Sequence, residues 1–537
     1  MPHADDCSYE PVMLLGMGKI RDGSSYNPIH PSFCLRNHGI PPAGPLPLHA
    51  GIKTFIIARM QRGETAACRL WPVIALLFFG CSGSITTVGD GGEDAGIRND
   101  EVNDPVADEE PEAASSSWAK TYGGRGLDGG LRARQTSDGG YIAAGFTSSF
   151  ADGGSVGWLL KLDAAGNVLW EAGVGSGVFN GFLADVVETA QGDFVAAGGI
   201  GDFEEDVRYA QLAKLDDSGG AMWHRAYEDP GGSWTTFRAI RPAQDGGFIL
   251  AGSIETIAGG DLDDMWVLKV GGDGAVEWQK SYGTVGYYDE AEAIEPLPGG
   301  GYLLAGNTSS LNPGMSKAWV MRLDDEGGIV WQNSYSEGGT CSAAALIQAE
   351  TGGYFIAGGA LKEGEVRGTP WVMKLDEDGG KEWERIYLFD GYGFAESVSS
   401  VSAGGAVVAG RTDDADLWIV GLDGSGEIQW QKIFGAGGVD YATSAEETSD
   451  GGYIVTGSCG SYGAGSSDLW ILKLEPGGDI GGDCPEGMQR DSGEPAGSFS
   501  SVPVATTAVM QGTACLAVED STALTATAAE VATQCSE

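Results

Sequence analysis

Between residues 118 and 474, apolar and polar positions alternate in short runs that glycine and aspartate interrupt. The first stretch shows the pattern, with WAKTYG at 118–123, SDGGYIAAG at 137–145 and WLLKLDAAGNVLW at 158–170. Runs rich in Val, Ile, Tyr and Trp between Gly and Asp predict strands. Asp138-Gly139-Gly140 predicts a tight hairpin turn, because these residue pairs tolerate positive φ. The turn recurs at Asp245-Gly246-Gly247 and Asp450-Gly451-Gly452, and in looser form at 298–300, 351–353 and 403–405. A second turn at 163–166 returns at 216–219, 324–327, 376–379 and 423–426. Almost no window of ten or more residues has a helical period.

Tryptophan sets the length of the unit. Trp118, Trp170, Trp223, Trp278, Trp331, Trp383 and Trp430 hold one repeated position, at intervals of 52, 53, 55, 53, 52 and 47 residues. Trp158, Trp266, Trp319, Trp371, Trp418 and Trp470 hold a second. A fixed period near fifty is the mark of a repeat architecture. Four short strands per unit, repeated seven times, predict an all-β fold: a seven-bladed β-propeller of four-stranded antiparallel blades. One such sheet cannot bury both faces alone, and stacking around an axis buries them between neighbours. The last copy ends at Leu474-Glu475 without the G-x-V-x-W strand that follows the others, and the chain opens with that strand at 118–122. The first strand is therefore expected to complete the last blade.

The motif L-D-x-x-G-x-x-x-W, as at 162–170, resembles the tryptophan-docking repeat of the quinoprotein-like (PQQ-like) propellers over about 360 residues. The resemblance implies the propeller architecture and, for some of its members, redox chemistry. The vicinal cysteine pair of some quinoprotein alcohol dehydrogenases is not in the chain.

The front of the chain has a different character. Residues 60–69 are short and basic, residues 70–79 are an apolar run of ten, and Gly80-Cys81 follows. Ten apolar residues are too few to span a bilayer and suit a signal-peptide core. A small residue before Cys resembles a bacterial lipoprotein signal, so 60–80 is read as the signal peptide and Cys81 as the lipidation site. Residues 1–59 then precede a signal that is read at an N-terminus, which makes them an upstream extension with translation starting at Met60. Residues 81–117 are an acidic tether with too little apolar surface to fold. Residues 118–476 are the propeller, and residues 477–537 a small Cys-containing C-terminal appendage.

Composition removes several functions. The chain carries 76 acidic against 31 basic residues, a net charge of −45, the opposite of a nucleic-acid footprint. Four of the five histidines lie in residues 3–49, which leaves His224 alone in the repeat region. That removes sites needing two histidines, including most zinc and copper sites. His224 directly follows Trp223 and reads as a strand-face residue. After Cys81 come Cys341, Cys459, Cys484, Cys515 and Cys535; an exported chain permits disulfides, and the pairing is not legible.

Most aspartates recur at turns, where their side chains bond local backbone. No phosphate loop is present. Asp261, Asp263 and Asp264 are the candidate metal ligands, for calcium, which takes several oxygens; no other cofactor is expected. The connections after each W-x-K-x-Y-G differ in their large residues: Phe179, Trp234, Tyr287, Tyr288, Tyr392, Phe394 and Tyr441. Emerging on one face of a ring, they form the candidate ligand-binding face. No catalytic residue stands out. The expected function is an exported, lipid-anchored, non-catalytic binding or scaffold module at the bacterial cell envelope. Its expected partner is an envelope protein or a polysaccharide, with membrane contact through the lipid alone. The alternatives are an envelope enzyme (a quinone-dependent dehydrogenase or a glycan hydrolase) and a structural coat protein.

Overall fold

The computed structural model describes residues 117–481, apart from 152, 176–179, 203–206, 229–233, 257–261, 285, 311–315, 337–338, 362–367, 388–391 and 413–415, together with seven short strands between 489 and 535. The expected signal peptide, Cys81 and residues 82–116 of the expected tether lie outside these residues, as do Phe179, Asp261, Cys484 and Cys515.

Seven antiparallel sheets follow one another along the chain. Blades 1–6 span residues 128–174, 180–228, 235–283, 289–335, 340–387 and 394–434. Blade 7 takes three strands from 440–474 and its fourth from Trp118–Gly123, which pairs antiparallel with Asp468–Leu474 through Trp118↔Lys473 to Tyr122↔Leu469. The expected closure is thus in place, and the ring joins the two ends of the repeat region.

Glycine does what the sequence asks of it at two kinds of turn. Gly139, at φ 83°, closes the hairpin between the first two strands of blade 1, and its neighbour Asp138 accepts from Gly140 N at 3.0 Å. Lys161, from the third strand, bridges to Asp138 at 2.9 Å. Lys269–Asp245 and Lys473–Asp450 repeat this contact at 2.7 and 2.9 Å. Turn duty accounts for these aspartates.

The second turn joins blade to blade. Gly166 sits at φ 73°, and a Cβ there would lie 2.8 Å from the Trp118 ring of the preceding blade. Gly219 meets Trp170, Gly274 Trp223, Gly327 Trp278, Gly379 Trp331, Gly426 Trp383 and Gly478 Trp430 in the same way. Trp118, Trp170 and Trp383 also donate Nε1 to a carbonyl of that turn. The tyrosine of W-x-K-x-Y donates to the docking glycine's own carbonyl, as in Tyr122 to Gly166 at 2.7 Å and Tyr282 to Gly327 at 2.6 Å. The first tryptophan set therefore forms the seams between blades. The second set is fully buried in the cores between neighbouring blades, as where the Trp418 ring of blade 6 lies 6.0 Å from the Tyr387 ring of blade 5, which is why both had to repeat.

Each blade also carries a fifth strand. Short strands from Gln489–Asp491 to Glu530–Cys535 pair with the outermost strand of every blade. The sheets are four-stranded repeats with an added edge, and the C-terminal appendage is spread around the ring.

Candidate functional site

The innermost strands place their free edges along the ring axis. Every one of them has a register shift at the same place. The extra residues are Leu131, Ala184, Arg238, Glu292, Ala344, Glu396 and Thr443. A bulge re-aims the side chain it adds, so four of the seven copies set a polar or charged group at one level of the axis. Arg238 and Glu292, from adjacent blades, lie 3.7 Å apart. Glu396 lies 3.7 Å from Arg411.

The axis has two different ends. At the face carrying the tight turns, the fully buried Asp185 binds Arg241 Nη1 at 2.6 Å, Arg134 Nη2 at 3.1 Å and Arg132 Nε at 3.5 Å. It also accepts from Val186 N at 2.8 Å and Ile240 N at 3.2 Å. Burial opposes its charge, but the three guanidinium groups and the amides outweigh burial and hold its pKa well below the usual carboxylate range. Arg241 continues to Glu295 at 2.7 Å and Arg134 to Glu446 at 2.9 Å. Three cations thus meet three carboxylates, a balanced network that ties blades 1, 2, 3, 4 and 7 together. A cavity of about 580 Å3 opens beside it, between Arg134, Arg241, Gln348, Glu350, Ser399 and Glu447.

At the opposite face, where the connections between blades emerge, aromatic rings meet arginines. The Arg208 guanidinium lies 4.0 Å from the Trp234 ring centroid, and Arg411 lies 5.6 Å from that of Tyr392. Phe394 and Tyr441 hold the same register position on adjacent inner strands, two residues before the bulge. Both are half-buried, and Tyr288 is 38 % exposed beside the half-buried Tyr287. The predicted face residues therefore fall into a group on blades 6 and 7 (Tyr392, Phe394, Tyr441) and separate positions at blade 3 (Trp234) and blade 4 (Tyr287, Tyr288). Phe182, on blade 2, shares the register of Phe394 and Tyr441, and nothing along the chain singles it out.

Acids cluster beneath this rim. Burial raises the pKa of Asp263 to about 7, and Glu290 and Glu255 add to the effect against Arg238 and Arg208. Burial likewise raises Glu292 to about 7, opposed by Arg238 and reinforced by Glu290 and Glu396. Asp263 and Asp264 do not converge. They are consecutive residues of the strand Leu262–Val270, so they point to opposite faces of the sheet. Asp264 instead faces the blade 3–4 interface, where both it and Asp289 crowd Gly283. Asp416 with Asp440 and Asp468 with Asp128 flank Gly435 and Gly123 in the same way. Asp128 accepts from Gly124 N at 2.8 Å and Ser149 Oγ at 2.6 Å, so it fastens the loop between blades. Among the described residues no group of three or more His, Cys, Asp and Glu is arranged to hold a metal ion.

His224 is a partner of Gln211 within blade 2, at 3.1 Å. Cys341 and Cys459 are buried in blades 5 and 7.

No family model and no curated protein matches the chain. Solved structures align with it at low identity. Sqt1 from Chaetomium thermophilum aligns over 64 % of this chain and 83 % of its own, at 12 % identity and a TM-score of 0.39. Polysaccharide lyase Uly1 aligns over 65 % and 90 %, at 10 % identity and 0.39. The soluble aldose sugar dehydrogenase from Escherichia coli, in its apo form, aligns over 51 % and 94 %, at 13 % identity and 0.27. Likenesses of this size say nothing about chemistry.

Proposed function

We propose that this β-propeller is a non-catalytic binding module, exported and held at the cell envelope through a lipid on Cys81, whose ligand is a protein or a polysaccharide taken on the loop face. The observation that supports this most is the pairing of aromatic rings with arginines on that face, Trp234 with Arg208 and Tyr392 with Arg411. Trp, Tyr and Arg dominate binding energy at recognition surfaces because each buries a large area at little conformational cost. A guanidinium against a ring fixes its orientation, which prepares the ring to receive a sugar ring or a partner's side chain. The test is capture of envelope proteins and surface polysaccharide by the full chain. Specific capture that the Trp234→Ala, Tyr288→Ala double variant loses supports the reading; capture unaffected by that variant counts against it.

One observation favours a second reading, a glycan hydrolase. Glu292, with its pKa near 7 and Arg238 beside it, is a carboxylic acid that can hold a proton at neutral pH, which general-acid catalysis needs. Release of reducing sugar from surface polysaccharide, abolished by Glu292→Gln, is the result this reading requires.

A further inference from the structure

The outermost strand of a four-stranded blade is an edge, with a row of N–H and C=O groups free to pair with another chain. Here the C-terminal segment meets all seven edges in spatial sequence. Gln489–Asp491 pairs with the outer strand of blade 6, Ala496–Ser498 with blade 5 and Val504–Ala505 with blade 4. Val509–Gln511 follows on blade 3, Leu516–Glu519 on blade 2 and Leu524–Thr525 on blade 1. Glu530–Cys535 then reaches blade 7, where it pairs with Trp118–Gly123. The walk runs once around the ring against the order of the repeats. Its start is fastened: Gly478 docks on Trp430 of blade 6, and Asp479 bridges to Lys432 of that blade at 2.8 Å. Its end falls on the strand that closes the ring, so Trp118–Gly123 is paired on both sides.

Composition agrees with this path. Between residues 496 and 529 the chain has two charged residues, Glu519 and Asp520, in a protein of net charge −45. An uncharged run of Ala, Val, Thr and Ser forms strands readily and, unpaired, adheres to other edges. The seven edges and the uncharged segment are each an aggregation hazard alone, and each removes the other's hazard.

We infer that residues 489–535 form an intramolecular belt that covers the outer edge of every blade and prevents the ring from associating with other copies of itself through those edges. Each attachment is short, two to six residues, and weak alone. Once the first has formed, the next is intramolecular and the series holds through effective concentration.

The test uses the whole chain with a specific protease site inserted between residues 482 and 488, cut after folding. The belt predicts that the full chain is monomeric by light scattering. It predicts that the cut tail stays with the ring through gel filtration and leaves only in denaturant. It also predicts that a chain ending at residue 481 forms oligomers as its concentration rises. A cut tail that separates under native conditions would overturn the belt, as would a full-length dimer with exchanged tails. A chain ending at 481 that folds and stays monomeric at every concentration would overturn the guarding role.

Discussion

Gln211 and His224 are hydrogen-bonded at 3.1 Å across two adjacent strands of blade 2, at the positions where other blades pair tryptophan with Glu or Gln. Trp158 donates to Glu171 at 3.2 Å, Trp266 to Gln279 at 3.1 Å, Trp371 to Glu384 and Trp418 to Gln431 at 3.3 Å. The spacing is thirteen residues in every case. Blade 2 keeps the hydrogen bond while exchanging both partners. Gln211 Nε2 additionally donates to the carbonyls of Phe182 and Gly199 at 3.1 and 3.0 Å, contacts an indole has no second donor to make.

The lone histidine of the propeller is therefore expected to serve stability. His224→Ala leaves a buried amide oxygen short of a partner, which costs about 1–3 kcal/mol. Urea unfolding of His224→Ala and of the Gln211→Trp, His224→Gln double variant checks this: the single variant should lose stability and the double variant should recover most of it.

Docking glycines should separate into two classes. Gly219→Ala must place a methyl 2.8 Å from the Trp170 ring at φ 82°, so a backbone penalty of about 1–2 kcal/mol is joined by a clash with the indole. Gly139→Ala faces a similar φ, 83°, with nothing within 4 Å, and should show the backbone penalty alone. Chemical denaturation of both variants gives the comparison, with Gly219→Ala the more damaged.

Asp185 should make the ring sensitive to acid. Its folded pKa is depressed, so its contribution is fully present above the unfolded value near 3.9 and is lost as the pH falls from there through the folded value. Asp185→Asn leaves three arginines without their shared anion, a loss of about 3–5 kcal/mol at neutral pH for a broken buried pair. Unfolding midpoints between pH 2 and pH 7 should show the gap between wild type and variant closing as the pH falls.

Asp263 should act in the opposite sense. Its folded pKa, about 7, is above the unfolded value, so the native state gains relative stability as the pH falls through 7 and loses it as the pH rises. Asp263→Asn removes that loss. Thermal unfolding should find the variant more stable than wild type at pH 8, with the difference vanishing near pH 4.

The fold was legible because its seams repeat. Trp118 and Gly166 must meet in every copy, so their spacing survives as a period. The axis was not legible for the reason that its residues differ from copy to copy. Arg238, Glu292 and Glu396 reach it through a one-residue bulge, which strand alternation cannot reveal. Asp263 and Asp264 read as one acidic cluster along the chain, yet a strand turns consecutive side chains apart. The tail gave the weakest signal, because pairing two to six residues to an existing edge demands little of side chains. Trp234 was found as the tryptophan outside the repeat positions, whereas its partner Arg208 lies on a different blade and only the fold joins them.

Binding on the loop face is tested by comparing the two ends of the axis. The affinity of a captured envelope protein or polysaccharide would be measured by titration calorimetry for wild type, for Trp234→Ala with Tyr288→Ala, and for Glu350→Gln, which alters the cavity on the turn face. Loop-face binding predicts a loss of at least about thirtyfold for the aromatic pair, as for an interface hot spot, and wild-type affinity for Glu350→Gln. Unchanged affinity in the aromatic variant with loss in Glu350→Gln would contradict it and move the site to the turn face.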